Sequence, residues 1–285
     1  MTVSHSLPNA EDLFPAGSEL SLRLSDGRAS SVHIIKSFTP FTKAQVFLVQ
    51  SEEGDNLPSK LILKVYDPRF LNDRFPPVPS VLPHPWTLDA ESLAAQYRTQ
   101  VALGERADDF HEDLLYDETE ADPWLWEEHF YRQLIECFRS EVDAYSRLKT
   151  LQGHTIPKFY TSGKLVPTPH VSRAIEPPVV LIEYIPGVSL YDVKPGAIPG
   201  SICARLIKDV DSFVDHGVFH GDLNPGNVLF TPAEAPKRAV IIDFGVAGVR
   251  TSSETDEQWA EAAGFYYDGL ALRRTLMQKG VTVEV

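Results

Sequence analysis

A long amphipathic helix between two β-rich regions is the feature that most limits how this chain can fold. Within 124–151, apolar residues recur at spacings of three and four, which predicts a helix. The preceding segment alternates apolar and polar residues, and Asp26-Gly27 predicts a tight hairpin turn. The pattern therefore predicts an α+β fold that begins with an antiparallel meander. Its strands are expected at 20–24, 32–35, 46–49 and 61–66.

The second half of the chain mixes short strands with helices. Apolar periodicity predicts that one helix ends at Gly217 and that the last helix begins after an N-cap at Ser253 or Thr255. Two short apolar runs flank a proline-containing turn, as expected for a buried hairpin. In chain order, strands are expected at 157–164 and 179–184, a helix at 201–216, strands at 228–230 and 240–242, and a helix at about 255–279.

The region from about 67 to 127 has a different character. Six prolines between Pro68 and Pro85 make regular structure improbable there, and a predicted helix at 88–103 is followed by an acidic stretch. A structureless loop of this length is unusual in a compact domain. The region is therefore predicted to be an insertion that forms an ordered subdomain or a docking element for a protein partner.

Composition excludes several classes of partner. The 285 residues carry 40 acidic and 26 basic side chains, a formal net charge of −14. This balance argues against nucleic acid and against anionic membranes, both of which select for Lys and Arg. No signal peptide is recognisable and no apolar run could cross a bilayer, so a soluble, cytoplasmic protein is expected. Cys137 and Cys203 lie in apolar helical stretches and are expected to be buried free thiols.

Three polar residues near the predicted hairpin carry the clearest chemistry. Asp222 is followed five residues later by Asn227, and Asp243 follows Asp222 by 21 residues at the end of a short apolar run. Phosphoryl transfer needs an aligned acceptor hydroxyl, a group that accepts its proton, and a metal that neutralises phosphate charge. A carboxylate, an amide and a second carboxylate supply the hard oxygen ligands that magnesium prefers.

These residues resemble the motifs of the protein-kinase-like superfamily. The chain has His220-Gly221-Asp222 with Asn227, matching the pattern H-x-D-x-x-x-x-N, and Asp243-Phe244-Gly245, matching D-F-G, in the family's order. The resemblance implies a bilobal fold, with an N-lobe at 1–183 and a shortened, mostly helical C-lobe at 184–285. It also implies ATP and Mg²⁺ as cofactors. Asp222 is then the catalytic base, and Asn227 and Asp243 bind the metal.

The resemblance extends to residues upstream of these motifs. Lys64, in Leu-Ile-Leu-Lys-Val-Tyr, resembles the strand lysine that contacts the α- and β-phosphates, and Glu141 resembles its helix partner. Glu136 is the competing candidate for that glutamate, but the apolar spacing after it does not match. In the hinge, the Glu183 carbonyl and the Ile185 amide are implied to hold the adenine edge.

The chain also departs from the family's pattern. Residues 37–46, including Pro40, replace the glycine-rich loop, and Gly221 and Asn224 stand where typical protein kinases have Arg and Lys. Such His-Gly-Asp loops are typical of aminoglycoside and choline phosphotransferases and small atypical kinases. The start of the insertion, Lys-Val-Tyr-Asp-Pro-Arg, resembles fungal kinase-like proteins. Only 40 residues follow Gly245, and Asp268 is either a cap on the catalytic-loop backbone or an ordinary solvated helix residue.

The sequence thus gives two functional hypotheses. The first is an ATP- and Mg²⁺-dependent phosphotransferase that moves the γ-phosphate to a hydroxyl of a small molecule or of a dedicated protein. The second is a pseudokinase, which serves as a nucleotide-binding or scaffolding module. The missing glycine-rich loop and the short C-lobe favour the second, and the full set of polar motif residues favours the first.

Overall fold

The chain forms two compact units in the computed structural model. One, the N-terminal unit, comprises Met1–Glu136 and Thr161–Leu181; the other, the C-terminal unit, comprises Cys137–Tyr160 and Ile182–Val285. The predicted lobe boundary at 183/184 lies close to the last change of unit and stays a prediction. The residues that the structure describes are 14–54, 56–78, 81–116, 121–167, 172–194, 196 and 198–281.

The N-terminal unit is built on a closed six-stranded barrel, in the order β1-β2-β3-β4-β6-β5. The sequence of β1 illustrates why these strands form a barrel with an apolar interior. Its residues alternate exposed and buried along the strand, so that every leucine faces the barrel interior. Pairing of β1 with β5 closes the sheet and removes its edge strands. The meander and its hairpin turn were predicted, and the closure was not. The strands are β1 (Glu19–Leu24), β2 (Ala29–Phe38), β3 (Gln45–Ser51), β4 (Lys60–Val65), β5 (Phe159–Leu165) and β6 (Pro178–Glu183).

The described residues of the insertion belong to the N-terminal unit and form several regular elements. After β4, the chain makes two 3-10 turns, Pro68–Phe70 and Asn72–Arg74, and the first has its proline at the start, where no N–H is needed. Helix α1 (Leu88–Ala102) follows, and Thr87 caps it by accepting a hydrogen bond from the Ala90 amide. The described residues of this segment thus form regular elements, and both predicted roles, a subdomain or a docking element, stay predictions.

Buried ion pairs hold the insertion together. The Arg173 guanidinium donates to Asp67 and to Glu91 at 2.8 Å each, and all three side chains are almost completely buried. Arg74 and Glu127 form a second buried pair, with Nη1 to Oε1 at 2.7 Å. Since a buried charge without a partner is strongly unfavourable, these pairs fix one arrangement of the segments that carry them.

A 25-residue helix, α2 (Pro123–Arg147), runs through both units, and the C-terminal unit continues with short strands and three helices. Helix α3 (Gly200–Asp211) buries Cys203, Leu206, Ile207 and Val210 on one face. The prediction that this helix continues to 216 was wrong, because it ends at Asp211, and Gly217, in the left-handed conformation, caps the separate 3-10 turn Val214–His216. The remaining elements are β7 (Val188–Ser189), α3 (Gly200–Asp211), β8 (Val218–Phe219), β9 (Val228–Thr231), β10 (Arg238–Ile241), β11 (Gly248–Val249), α4 (Asp256–Tyr266) and α5 (Asp268–Gln278).

The prediction of a single last helix was wrong. Tyr267 adopts a left-handed backbone conformation, with φ at 47°, and separates α4 from α5. α4 is capped by Thr255, one of the two predicted caps, in a capping box with Gln258. α5 then turns to pack on α3, where Arg273 pairs with Asp211. Periodicity continues across the break, so the apolar pattern did not reveal it.

Two predictions about the chain as a whole concern its thiols and its helices. Cys137 and Cys203 are both buried thiols that form no disulfide, as predicted. Burial raises the pKa of the Cys203 thiol to about 11, so this group is inert at neutral pH. Within the described part of the chain, no helix combines the length and apolar character needed to span a membrane.

Candidate active site

The predicted catalytic loop connects β8 to β9, and the D-F-G segment follows β10. β9 and β10 are antiparallel, with Val228 opposite Ile241. One residue further on, the Ile242 amide donates to the Asn227 carbonyl at 3.0 Å. The ladder therefore ends with Asn227 and Ile242 side by side, and Asp243 follows directly. This pairing brings two of the predicted site residues to the same end of the same hairpin.

Asp222 is exposed and is held by two amide side chains. Its carboxylate accepts from Asn224 Nδ2 at 3.1 Å and from Asn227 Nδ2 at 3.3 Å. Asn227 Nδ2 also donates to the Asp222 carbonyl at 2.9 Å, and the Asn224 side chain accepts from the Gly226 amide at 2.8 Å. The loop is thus a set of local side-chain bonds that orient one carboxylate. Asn224, which the sequence comparison treated only as a missing lysine, takes part in this hydrogen-bond network.

His220 links the catalytic loop to the residue before Asp243. Its ring is fully buried, Nδ1 lies 3.3 Å from the Asp222 amide, and Nε2 lies 2.9 Å from the Ile242 carbonyl. Because a backbone N–H can only donate, Nδ1 is the acceptor and Nε2 carries the proton that the Ile242 carbonyl receives. The ring also packs against Phe244, with centroids 4.8 Å apart. The neutral imidazole therefore fixes the two loops relative to each other.

Asp268, at the start of α5, caps the backbone of the catalytic loop. Its carboxylate accepts from the amides of His220 and Gly221. This contact confirms the first of the two interpretations of Asp268. The left-handed Tyr267 is what turns α5 so that its first residue reaches the loop.

Two backbone positions in the site lie in the left-handed region. Gly221 has a φ of 77°, and a Cβ atom there would come within 2.8 Å of the Val246 carbonyl oxygen. An arginine at this position would therefore be strained, which explains why the loop reads His-Gly-Asp. Asp243 has a φ of 70°, a conformation that non-glycine residues adopt at a cost and that often marks functional sites.

The predicted hinge contains a well-anchored glutamate. The Glu183 carboxylate accepts from Arg238 Nη1 at 2.8 Å and from the Lys158 amide at 3.0 Å. Partial burial alone would raise the pKa of Glu183, but Arg238 and the amide hold it below its usual value. The side chain therefore has a structural role, and the Glu183 amide donates to the Lys158 carbonyl at 2.8 Å. The adenine contact of the Glu183 carbonyl stays a prediction. Ile185 is buried.

The remaining predicted residues lie in buried positions of the two units. Lys64 is on β4 of the N-terminal unit, opposite Val46 in the β3–β4 ladder, and its side chain is buried. Glu141 is on α2 in the C-terminal unit and is completely buried, whereas Glu136 is exposed. A buried carboxylate needs compensation, so the position of Glu141 is the more constrained of the two. Its role as the helix glutamate stays a prediction.

One turn after Glu141, Tyr145 is a further buried polar residue that sequence reasoning missed. Its ring packs against Phe244, with centroids 5.5 Å apart. The pKa of Tyr145 is raised well above its usual value, first by burial and then by the negative charges of Glu141, Asp243 and Glu183. The phenol therefore stays neutral beside this group of carboxylates.

The donor groups on this loop fit magnesium better than other metals. Asn227 and Asp243 offer one amide and one carboxylate, both hard oxygen ligands, and Mg²⁺ takes its remaining ligands from phosphates and water. Within the described ranges, no group of three or more His, Cys, Asp or Glu side chains forms a self-contained metal site. The assignment of Asn227 and Asp243 as metal ligands stays a prediction.

Comparison with known proteins connects this geometry to a family. Residues 136–263 match the family model of the ABC1 atypical kinase-like domain. This stretch includes the loop around Asp222 and the D-F-G segment. This match confirms, over these residues, the predicted resemblance to a kinase-like family. The match begins just before Glu141 and ends before Asp268, so Lys64 and the insertion lie outside it.

Curated proteins and solved structures give more distant similarities. The serine/threonine-protein kinase pkn2 of Myxococcus xanthus is 33% identical over 73 residues, which span 24% of this chain and only 9% of that protein. A double mutant of the PknI kinase domain from Mycobacterium tuberculosis is 17% identical, with a TM-score of 0.40 over 87% of this chain and 74% of that one. The Rio2 kinase–ADP/Mg²⁺-phosphoaspartate complex from Chaetomium thermophilum is 14% identical, with a TM-score of 0.46 over 88% of this chain and 58% of that one.

Proposed function

We propose that this kinase-like chain is an ATP- and Mg²⁺-dependent phosphotransferase that moves the γ-phosphate to a hydroxyl acceptor. The observation that carries the proposal is the ordered loop in which Asn227 binds Asp222 and also pairs, through its carbonyl, with the residue before Asp243. Such preorganisation is the protein's main contribution to phosphoryl transfer, because little covalent help is needed.

In this proposal each residue of the loop has one task. Asp222, exposed and oriented by two amides, accepts the proton of the acceptor hydroxyl. Asn227 and Asp243 would hold Mg²⁺, which neutralises the charge of the transferred phosphate when it is bound. His220 and Asp268 keep the loop backbone in place from the buried side. The roles predicted for Lys64, Glu141, Glu183 and Ile185 stay predictions.

A second function is favoured by one specific observation. The segment that replaces the glycine-rich loop contains Pro40, which has no N–H to offer to a phosphate. A chain that binds nucleotide weakly, or that serves as a scaffold through its insertion, is therefore the competing proposal. The acceptor and any protein partner are open in both cases.

The test is ATP consumption by the full chain with Mg²⁺ and a panel of hydroxyl acceptors, including proteins. Asp222→Asn is nearly isosteric and removes only the base, so we expect its rate to fall by about two to four orders of magnitude. The control is Asp215→Asn, a carboxylate that lies outside the loop, in the 3-10 turn before Gly217. Equal rates for wild type and Asp222→Asn with every acceptor would contradict phosphotransfer and favour the scaffold.

A further inference from the structure

The turn between β2 and β3, residues 39–44, is fastened to the first residues of the insertion. The ring of Phe41 lies edge-on to that of Phe70, with centroids 6.2 Å apart. The carbonyl of Thr42 accepts a hydrogen bond from the Asn72 amide at 3.2 Å. One apolar contact and one backbone hydrogen bond therefore join the turn to the two 3-10 turns that follow β4.

A buried glutamine makes a third connection at the end of the same turn. Gln45 is completely buried; its Oε1 accepts from the Asp67 amide at 3.0 Å, and its Nε2 donates to the Lys43 carbonyl at 3.4 Å. Asp67 is the first residue of the insertion. The side chain of Gln45 thus bridges the β2–β3 turn and the insertion, and both of its polar ends are used.

An aromatic cluster surrounds these contacts. Phe41 and Phe14 both pack on Phe47 of β3, with centroids 5.4 and 5.2 Å away, and Phe14 also packs on Phe70 at 5.4 Å. Phe47 and Phe70 are almost fully buried. Pairs at these separations are each worth somewhat more than the apolar area they bury. The turn is therefore packed against the barrel and the insertion at once.

The insertion residues that receive the turn are themselves fixed. Asp67 is held by Arg173, which also binds Glu91 on α1. Arg74, two residues after Asn72, is buried and paired with Glu127. Because breaking a buried ion pair leaves an uncompensated charge, this attachment is rigid. The conformation of the β2–β3 turn is thereby determined by the insertion as well as by its own strands.

We propose that the insertion is the positioning element for the β2–β3 turn at the phosphates of the nucleotide, with Phe41, Phe70 and Gln45 as positioning residues. The proposal rests on the proposed function, since this turn takes the place of the glycine-rich loop. Glycine lets such a loop adapt to phosphates. The turn here, Thr-Pro-Phe-Thr-Lys-Ala, contains no glycine and must be preformed by packing. A ligand or partner that moves the insertion would then change nucleotide affinity.

The test combines hydrogen exchange with nucleotide binding in the full chain. Phe41→Ala removes the turn's side of the aromatic contact, and Phe41→Leu retains part of it. In the protein without nucleotide, we expect Phe41→Ala to exchange about tenfold faster at the turn amides and at the Asn72 amide. We also expect the Kd for ADP with Mg²⁺ to rise about tenfold, with Phe41→Leu between the two. The control is Tyr116→Ala, which removes an exposed aromatic of the insertion that packs on Trp126.

Each outcome decides one part of the proposal. If the Asn72 amide of Phe41→Ala exchanges at the same rate as in the wild type, the attachment of the turn to the insertion is overturned. If the turn amides of Phe41→Ala exchange faster but its Kd for ADP equals that of the wild type, the positioning role is overturned. A wild-type chain that binds neither ATP nor ADP overturns the proposed function together with the positioning role, and the exchange rates then still decide the attachment on their own. If Phe41→Ala does not fold, the same readings are taken from Phe41→Leu.

Discussion

At the scale of single residues, the motif residues were predictable from the sequence, whereas most contacts of the residues that hold them were not. Asp222, Asn227 and Asp243 were found because their spacing is characteristic. His220 was seen only as part of a pattern, and its two ring contacts were not predictable because they depend on the β9–β10 pairing. Asn224 did carry a signal, since an Asn just before Pro-Gly commonly accepts a bond from the amide two residues on.

Tyr145 gives a prediction at this scale. Its hydroxyl is buried and has no hydrogen-bond partner among the described residues. An unsatisfied buried hydroxyl is destabilising, so Tyr145→Phe is expected to raise the free energy of unfolding by about 1 kcal/mol. Urea denaturation at pH 7 measures the change, with the exposed Tyr191→Phe as a control expected near zero. A less stable Tyr145→Phe protein would show that the hydroxyl has a partner, such as an ordered water.

At the scale of elements, periodicity predicted where most helices and strands lie. α1, predicted at 88–103, is observed at Leu88–Ala102, and β10 and β9 form the predicted hairpin. The break between α4 and α5 was not predicted, because Tyr267 has no sequence signature of a left-handed residue. The closure of the barrel was not predicted either, because strand alternation fixes which side chains point inward but not which distant strand pairs with β1.

The ion pairs of the insertion predict a pH dependence. Burial alone would raise the pKa of Asp67, but Arg173 and Arg69 hold it at about 2. Since the pKa of an unfolded Asp is near 3.9, the resulting stabilisation of about 2.6 kcal/mol is complete above about pH 5 and is lost progressively as the pH falls to about 1. Urea denaturation of wild type and Asp67→Asn at pH 5 and 2.5 tests this.

The expected result is a stability advantage of wild type over Asp67→Asn that shrinks by about 2 kcal/mol between the two pH values. Glu52→Gln, a change at an exposed carboxylate, controls for the loss of one acidic group. An advantage that is equal at pH 5 and 2.5 would mean that Asp67 is not held in its ionised form by the two arginines.

At the scale of the whole molecule, sequence patterns predicted the fold class and the buried thiols but not the packing of the insertion. The α+β class and the buried thiols follow from patterns that local physics determines. The insertion was recognised as foreign to the kinase-like pattern, but its packing depends on Arg173, which lies far along the chain from Asp67 and Glu91. Long-range pairs of this kind are not encoded in any local spacing.

The net charge of −14 leads to the last prediction. Like charges on the surface repel one another and disfavour the compact state, and salt screens exposed charges far more than buried ones. The pairs Arg74–Glu127 and Arg173–Asp67 are buried, so their contribution survives added salt. Raising NaCl from about 0.02 to 0.2 M is therefore expected to increase the Tm at pH 7.5 by a few degrees.

The control is the same series at pH 5.0, the isoelectric point of the sequence, where the gain should be smaller. A Tm that falls with salt at pH 7.5 would show that exposed ion pairs outweigh the repulsion.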